Sequence, residues 1–143
     1  MTTGMQMIEA IRAERAAPPS GIRSLGLDVA HRWITDLGPG HVTFAWPVGS
    51  DHFNLEQAVI CSWTTAIADQ AIFFASNTLC DEGEGTRTTD LHLRALHNIG
   101  EGVVTVVCHI QDRTADRMFA TCDFILADGR LAAQVTANLD ITR

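Results

Sequence analysis

The sequence predicts an α+β fold in which an antiparallel sheet curls around one long central helix, and three observations lead there. Residues 58–79, AVICSWTTAIADQAIFFASNTL, are apolar with a single formal charge, Asp69, and Ala, Ile, Val, Phe and Trp fill nearly every sector of a 3.6-residue wheel. Four strand-like runs follow this stretch and two precede it. A sheet of that many strands with one helix to cover must wrap the helix, which accounts for a helix that is apolar on nearly every side.

Residues 5–16 place Met7, Ile8, Ile11 and Arg15 at helical spacing, and Pro18-Pro19 then stops the helix. Residues 1–19 thus read as a short leading helix and its end. Residues 27–37 and 41–48 are strand-like, with Leu37-Gly38-Pro39-Gly40 as the turn of a hairpin. The polar loop 49–57, GSDHFNLEQ, feeds the central helix, and 81–85, DEGEG, is a solvated turn after it. Residues 86–96, 103–112, 117–126 and 130–141 are strand-like and separated by NIGEG, RTAD and ADG, connections of hairpin type that predict an antiparallel meander. No repeat and no long linker divides residues 1–143, which read as a single domain. Such a layer leaves an edge open, and a dimer that continues the sheet closes it.

The net charge of −7 argues against nucleic acid, whose phosphates call for a basic patch. All ten basic residues are arginine, and the chain has no tyrosine, so Schiff-base lysines, a Walker lysine and a tyrosine general acid are closed. Cys61, Cys80, Cys108 and Cys122 lack CxxC or Cys/His ligand spacing and lie in apolar segments, which predicts reduced core thiols. The six histidines show no HExxH or i, i+4 pairing on a helix, so no metal is expected. The polar residues of the central stretch and its lack of basic flanks speak against a membrane span. Acids and arginines stand where a signal peptide would have an apolar run, and a cytoplasmic protein is expected.

An ionisable group on a wrapped helix must be paired, protonated or useful, because burial penalises its charged form. From helix context alone two readings of Asp69 stay open: a buried acid satisfied by Ser, Thr or backbone donors, or a catalytic carboxylate.

The run HFNLEQAVICSWTTAIAD, residues 52–69, resembles the site segment of hotdog-fold thioesterases of the phenylacetic-acid-pathway (PaaI-like) type. In that family His-x-Asn is followed by Gly, by His-Gly-Gly and then by an acidic residue in the helix. Asn54 and Asp69 share the family's spacing, TTDLHL at 88–93 looks like its first strand after the helix, and ADGRLAAQVTANLDI looks like its closing hairpin. The chain departs from the pattern at the chemistry, with Ile60-Cys61-Ser62 in place of His-Gly-Gly and Gln57 in place of the preceding Gly. The Cβ atoms added there narrow the approach to the helix N-terminus, and an imidazole is lost.

The resemblance implies an acyl-CoA thioesterase, hydrolysing a short, medium or aryl CoA thioester to free acid and CoA. Asp69 would be the general base or the nucleophile. The backbone N–H groups of Cys61 and Ser62 at the helix start are the candidate oxyanion hole. Asn54 would orient water or the thioester carbonyl, or would serve only as a loop cap. Thr88 falls where the family often has a Ser or Thr that holds the attacking water, although alternation puts it with Asp90, His92 and Arg94 on the polar side of its strand. His52, Gln57 and Ser62 are candidate substrate contacts. Cys61 has no histidine placed beside it to make it a nucleophile. Coenzyme A enters as part of the substrate, with no other cofactor. The resemblance further implies a homodimer whose sites lie between subunits, and leaves open its pairing into a homotetramer. A second function stays open beside hydrolysis, a hotdog dimer that binds an acyl-CoA or a small aromatic ligand without turning it over. A hydratase or dehydratase on this fold has weaker support, since no second acid or histidine stands at a motif spacing.

Overall fold

A computed structural model describes residues 2–143. The chain runs α1 (Gly4–Arg12), α2 (Ser20–Ser24), β1 (Ile34–Gly38), β2 (His41–Val48), α3 (Cys61–Asn77), β3 (Gly85–Ala95), β4 (Gly102–Arg113), β5 (Arg117–Ile125) and β6 (Leu131–Thr142). Short 3₁₀ turns at Ala30–Trp33 and Ser50–His52 lead into β1 and into the loop before α3.

The six strands form one antiparallel sheet in the order β1-β2-β4-β5-β6-β3, with α3 packed on it. The strands alternate as a one-sided sheet requires. Val42, Phe44, Trp46 and Val48 of β2 are buried, as are Met118, Ala120, Cys122 and Phe124 of β5, while their sequence neighbours are not. Ile67, Ala68, Ala71, Ile72, Phe74 and Ala75 of α3 meet them. An edge-to-face contact of Phe44 with Phe74 at 5.9 Å joins sheet to helix, and one of Trp46 with Phe124 at 6.0 Å packs across the sheet's inner face.

The α1 helix closes one end of this core. Thr3 caps it reciprocally with Gln6, and Ile8 and Ile11 are buried. Gly4 lies so close to α3 that a Cβ there would collide with the Asn77 carbonyl oxygen. The opposite side of α3 is less covered than its composition suggests, for Cys61, Ser62 and Asp69 are exposed in the single chain.

Three sequence expectations are revised. The four late strands are not a simple meander: β4, β5 and β6 are, but β3 pairs with β6 at the far edge and β4 pairs with β2. NIGEG is therefore a crossover, held where Ile99 is buried and its carbonyl accepts from Val59 N at 2.9 Å. Of the expected strand 27–37 only residues 34–37 are extended, as part of β1, because Ala30–Trp33 form a 3₁₀ turn that buries Ala30 and His31. The leading helix ends at Arg12, where Ala13 caps it and Glu14 takes a positive φ of 58°, before Pro18 is reached. Among the described residues no helix is long and apolar enough to cross a membrane.

Candidate active site

Asp69 lies on the exposed side of α3, so the expectation of an enclosed carboxylate does not hold within one chain. It has a defined partner: the Thr88 hydroxyl donates to Asp69 Oδ1 at 3.0 Å. Strict alternation would turn Thr88 away from the helix. A β-bulge reverses this, since Thr88 pairs with Leu139 and Asp90 with Asn138, leaving Thr89 as the extra residue. Paired residues of antiparallel strands share a face, so Thr88 falls with Leu91 and Leu93, opposite the buried Leu139, Ala137 and Val135. Asp90, His92 and Arg94 remain on the outer face.

Asp69 also borders a cavity of about 410 Å³ between α3 and residues 19–27. Its walls are mainly apolar, from Ile22, Leu25 and Leu27 on one side and Ala66 and Phe73 on the other. This stretch of the N-terminal segment, which the sequence presents as a helix stop followed by a strand, thus helps to enclose the carboxylate's surroundings. The signal in the sequence is Pro19 followed by the apolar Ile22 and Leu25, of which Ile22 lies on α2 and Leu25 is its C-cap.

The second group gathers at the start of α3. Asn54 Oδ1 accepts from Glu56 N at 2.9 Å and from Ala58 N at 3.2 Å, and Asn54 N donates to the Ala58 carbonyl at 2.8 Å. Its side-chain oxygen thus shapes the loop. Gln57 is exposed and holds φ 58°, a left-handed conformation that glycine adopts freely and other residues seldom do. The His52 ring sits edge-on to Trp46 at 5.5 Å and to Trp63 at 4.9 Å, and Nδ1 accepts from Gly49 N at 3.1 Å. It braces the loop against the core.

That loop ends at Ile60, an extended residue that provides no side-chain cap. Trp63 N bonds the Ile60 carbonyl at 3.0 Å, whereas the amides of Cys61 and Ser62 have no acceptor among the described residues. Cys61 is exposed, unlike Cys80, Cys108 and Cys122, which are buried free thiols. Burial, with Cys108 beside it, pushes the Cys122 thiol well up from its ordinary value. A cavity of about 260 Å³ opens beside the free amides, between Asn54, Cys61 and Thr64 on one side and Leu93, His97 and Ala133 on the other. Ser62 borders a different recess, with Leu25, Trp63 and Ala66.

The candidate residues thus form two clusters, Asp69 with Thr88 and Asn54 with Cys61. Between Cys61 and Asp69 lie about 12 Å of helix rise, too far for one small reacting group to meet both within a chain. No three His, Cys, Asp or Glu side chains among the described residues lie together as metal ligands.

Comparison of the fold with solved structures gives extensive matches at low identity. A thioesterase from Haemophilus influenzae superposes with a TM-score of 0.77 at 15% identity, covering 100% of this chain and 92% of that one. The PaaI protein of the Escherichia coli phenylacetic acid degradation operon gives 0.79 at 13%, over 98% and 94%. This chain has the hotdog fold. A phenylacetic acid degradation-related protein from Ralstonia eutropha JMP134 gives 0.79 at 17%, over 93% and 98%, and shares the hotdog frame. No family model matches the sequence, and no curated protein sequence does either.

Proposed function

We propose that this hotdog protein is an acyl-CoA thioesterase in which Asp69 is the general base. The observation that carries the reading is the Thr88 to Asp69 hydrogen bond beside an apolar cavity, at the helix position of the acidic residue in PaaI-like thioesterases. The thioesterases that share the fold support it.

Asp69 holds one carboxylate oxygen with Thr88 and keeps the other for water. That water gives its proton to Asp69 as its oxygen attacks the thioester carbonyl carbon. Negative charge develops on the carbonyl oxygen and is held by the Cys61 and Ser62 amides, whose hydrogens are not used within the chain and which gain from the helix dipole. The tetrahedral intermediate expels CoA thiolate, and Asp69 returns the proton to it. Because some 12 Å of helix separates base from amides, the two come from different subunits of a homodimer. Side chains at Ile60, Cys61 and Ser62 leave backbone donors in place, so loss of His-Gly-Gly does not remove this hole.

Free thiol release from short, medium and aryl CoA thioesters tests the proposal on wild type and Asp69→Ala side by side. Release that disappears in the variant is expected. Release that is unchanged would overturn the role of Asp69, and a folded dimer that releases no thiol across the panel would favour a hotdog protein that binds its ligand without hydrolysis.

A further inference from the structure

A second recess, of about 330 Å³, adjoins α2. Residues one apart on a helix point in different directions, so Ile22 and the C-cap Leu25 line the apolar cavity beside Asp69 while Arg23 lines the recess. The chain leaving α1 brings Arg15 to the same space. Glu14 takes its positive φ of 58° there, and the Ala10 carbonyl accepts from Arg15 N at 2.8 Å and from Ala16 N at 3.3 Å. Asp28, Arg32 and the buried His31 also line it. Three arginines against Glu14 and Asp28 make the recess net positive in a chain of net charge −7. Glu14 is already engaged: its Oε1 accepts from Arg32 Nε at 2.6 Å, and that bond, with His31 beside it, holds the carboxyl below the ordinary 4.5. Asp28 makes no ion pair among the described residues. Most of the chain's arginines hold a carboxylate or a backbone carbonyl, as Arg87 holds Asp140 and Arg113 holds Glu84. The guanidinium groups of Arg15, Arg23 and Arg94 have no such partner among the described residues, and two of these three share this recess. A guanidinium without a carboxylate offers its fork of N–H donors to an arriving anion, and a phosphate takes two of them in parallel.

We infer that this recess binds a phosphate group through Arg15 and Arg23, and that the phosphate is the diphosphate of the CoA thioester bound at Asp69. The inference rests on the thioesterase reading and adds where the nucleotide end of the substrate is held. A helix is about 10–12 Å across with its side chains, so α2 sets that much between the cavity beside Asp69 and the recess. The pantetheine arm between the thioester sulfur and the diphosphate runs about a dozen bonds, as long as about four extended residues, roughly 13–14 Å. An arm of that length crosses α2, so one molecule sets its thioester at Asp69 and its diphosphate at the two arginines. Neither arginine touches the reacting atoms; both contribute binding. A free nucleotide carries the same diphosphate and is the other source of the same chemistry.

The test compares kcat and KM for hexanoyl-CoA and for S-hexanoyl-pantetheine, which lacks the phosphates, in wild type, in the double variant Arg15→Gln with Arg23→Gln, and in Arg94→Gln as a control for lost charge. Arg15 and Arg23 are exposed, so the double variant is expected to fold. Its KM for hexanoyl-CoA is expected to rise about tenfold or more with kcat unchanged, because the contact is equal in ground and transition states. The pantetheine thioester is expected to keep its wild-type constants throughout, and Arg94→Gln to keep both. An unchanged KM for hexanoyl-CoA in the double variant, or a rise that the pantetheine thioester shares, overturns the assignment to CoA. ADP separates the two sources: it is expected to compete with hexanoyl-CoA in wild type and to lose its hold in the double variant. ADP that binds wild type and not the double variant, without competing, gives the recess to a free nucleotide instead. If wild type releases no CoA from any thioester, the thioesterase reading fails by itself. Calorimetry with CoA and ADP then decides the recess: affinity lost in the double variant upholds the phosphate site, and equal affinities, or none in wild type, overturn it.

Discussion

The Thr88 hydroxyl meets the Asp69 carboxylate at 3.0 Å because a bulge at Thr89 turns Thr88 toward the helix. A hydroxyl donating to a carboxylate contributes roughly 1.5–3 kcal/mol, the range for a hydrogen bond to a charged group. Thr88→Val is therefore expected to lower kcat/KM by roughly 10- to 100-fold at about 1.4 kcal/mol per tenfold, while Thr88→Ser retains most of it. A Thr88→Val protein with wild-type kcat/KM would make Thr88 an ordinary strand residue.

Asp69→Asn keeps the shape of the side chain and removes its basicity. A positioned general base contributes roughly 10²–10⁴-fold, and a loss of that size is expected in kcat. Asp69 is exposed in the single chain, so the far-ultraviolet circular dichroism spectrum should be unchanged. A folded Asp69→Asn protein with wild-type kcat would remove Asp69 from the chemistry.

Gln57 offers a test of the backbone separate from chemistry. At φ 58° a non-glycine residue is held in the left-handed region, at a cost of roughly 1–2 kcal/mol. Gln57→Gly should therefore melt at or above the wild-type midpoint. A β-branched side chain tolerates that conformation worst, so Gln57→Val is expected to lose roughly 1–2 kcal/mol and to melt well below it. Equal midpoints for Gln57→Gly and Gln57→Val would contradict the backbone assignment.

Glu84 gives the pH dependence. The Asp81 backbone N–H, then Arg113 and Arg143, hold its carboxyl below the ordinary 4.5. A depressed folded value stabilises the protein above the unfolded value, and that contribution disappears as pH falls through the folded one. The midpoint difference between wild type and Glu84→Gln should be constant above about pH 5.5 and shrink below pH 4.5. A difference that grows on acidification would reverse the sign and refute the assignment.

Much of the fold was legible because hydrophobic period reports local structure. The apolar run 58–79 became α3, and Leu37 to Gly40 became a hairpin turn with Gly40 at φ 74°. The place of β3 was not legible, since NIGEG has turn chemistry whether the next strand pairs locally or crosses over. Asn54 and Asp69 stood out as candidates through the resemblance, whereas alternation assigned Thr88 to the wrong face. A bulge is a difference in count between two strands, and one strand's sequence cannot display it.

Asp69 of one subunit and the helix-start amides of another compose the proposed site. Cys61→Pro deletes one such amide at the first helical position, where proline is tolerated, and Ile60 already holds the extended φ −70° and ψ 143° suited to a residue before proline. Asp69→Ala deletes the base. The decisive measurement is thiol release after the two inactive variants are unfolded together in equal amounts and refolded. Half of the resulting dimers are mixed and carry one intact site of two, so recovery of roughly a quarter of wild-type activity is predicted. No release above that of either variant alone would contradict a site shared between subunits.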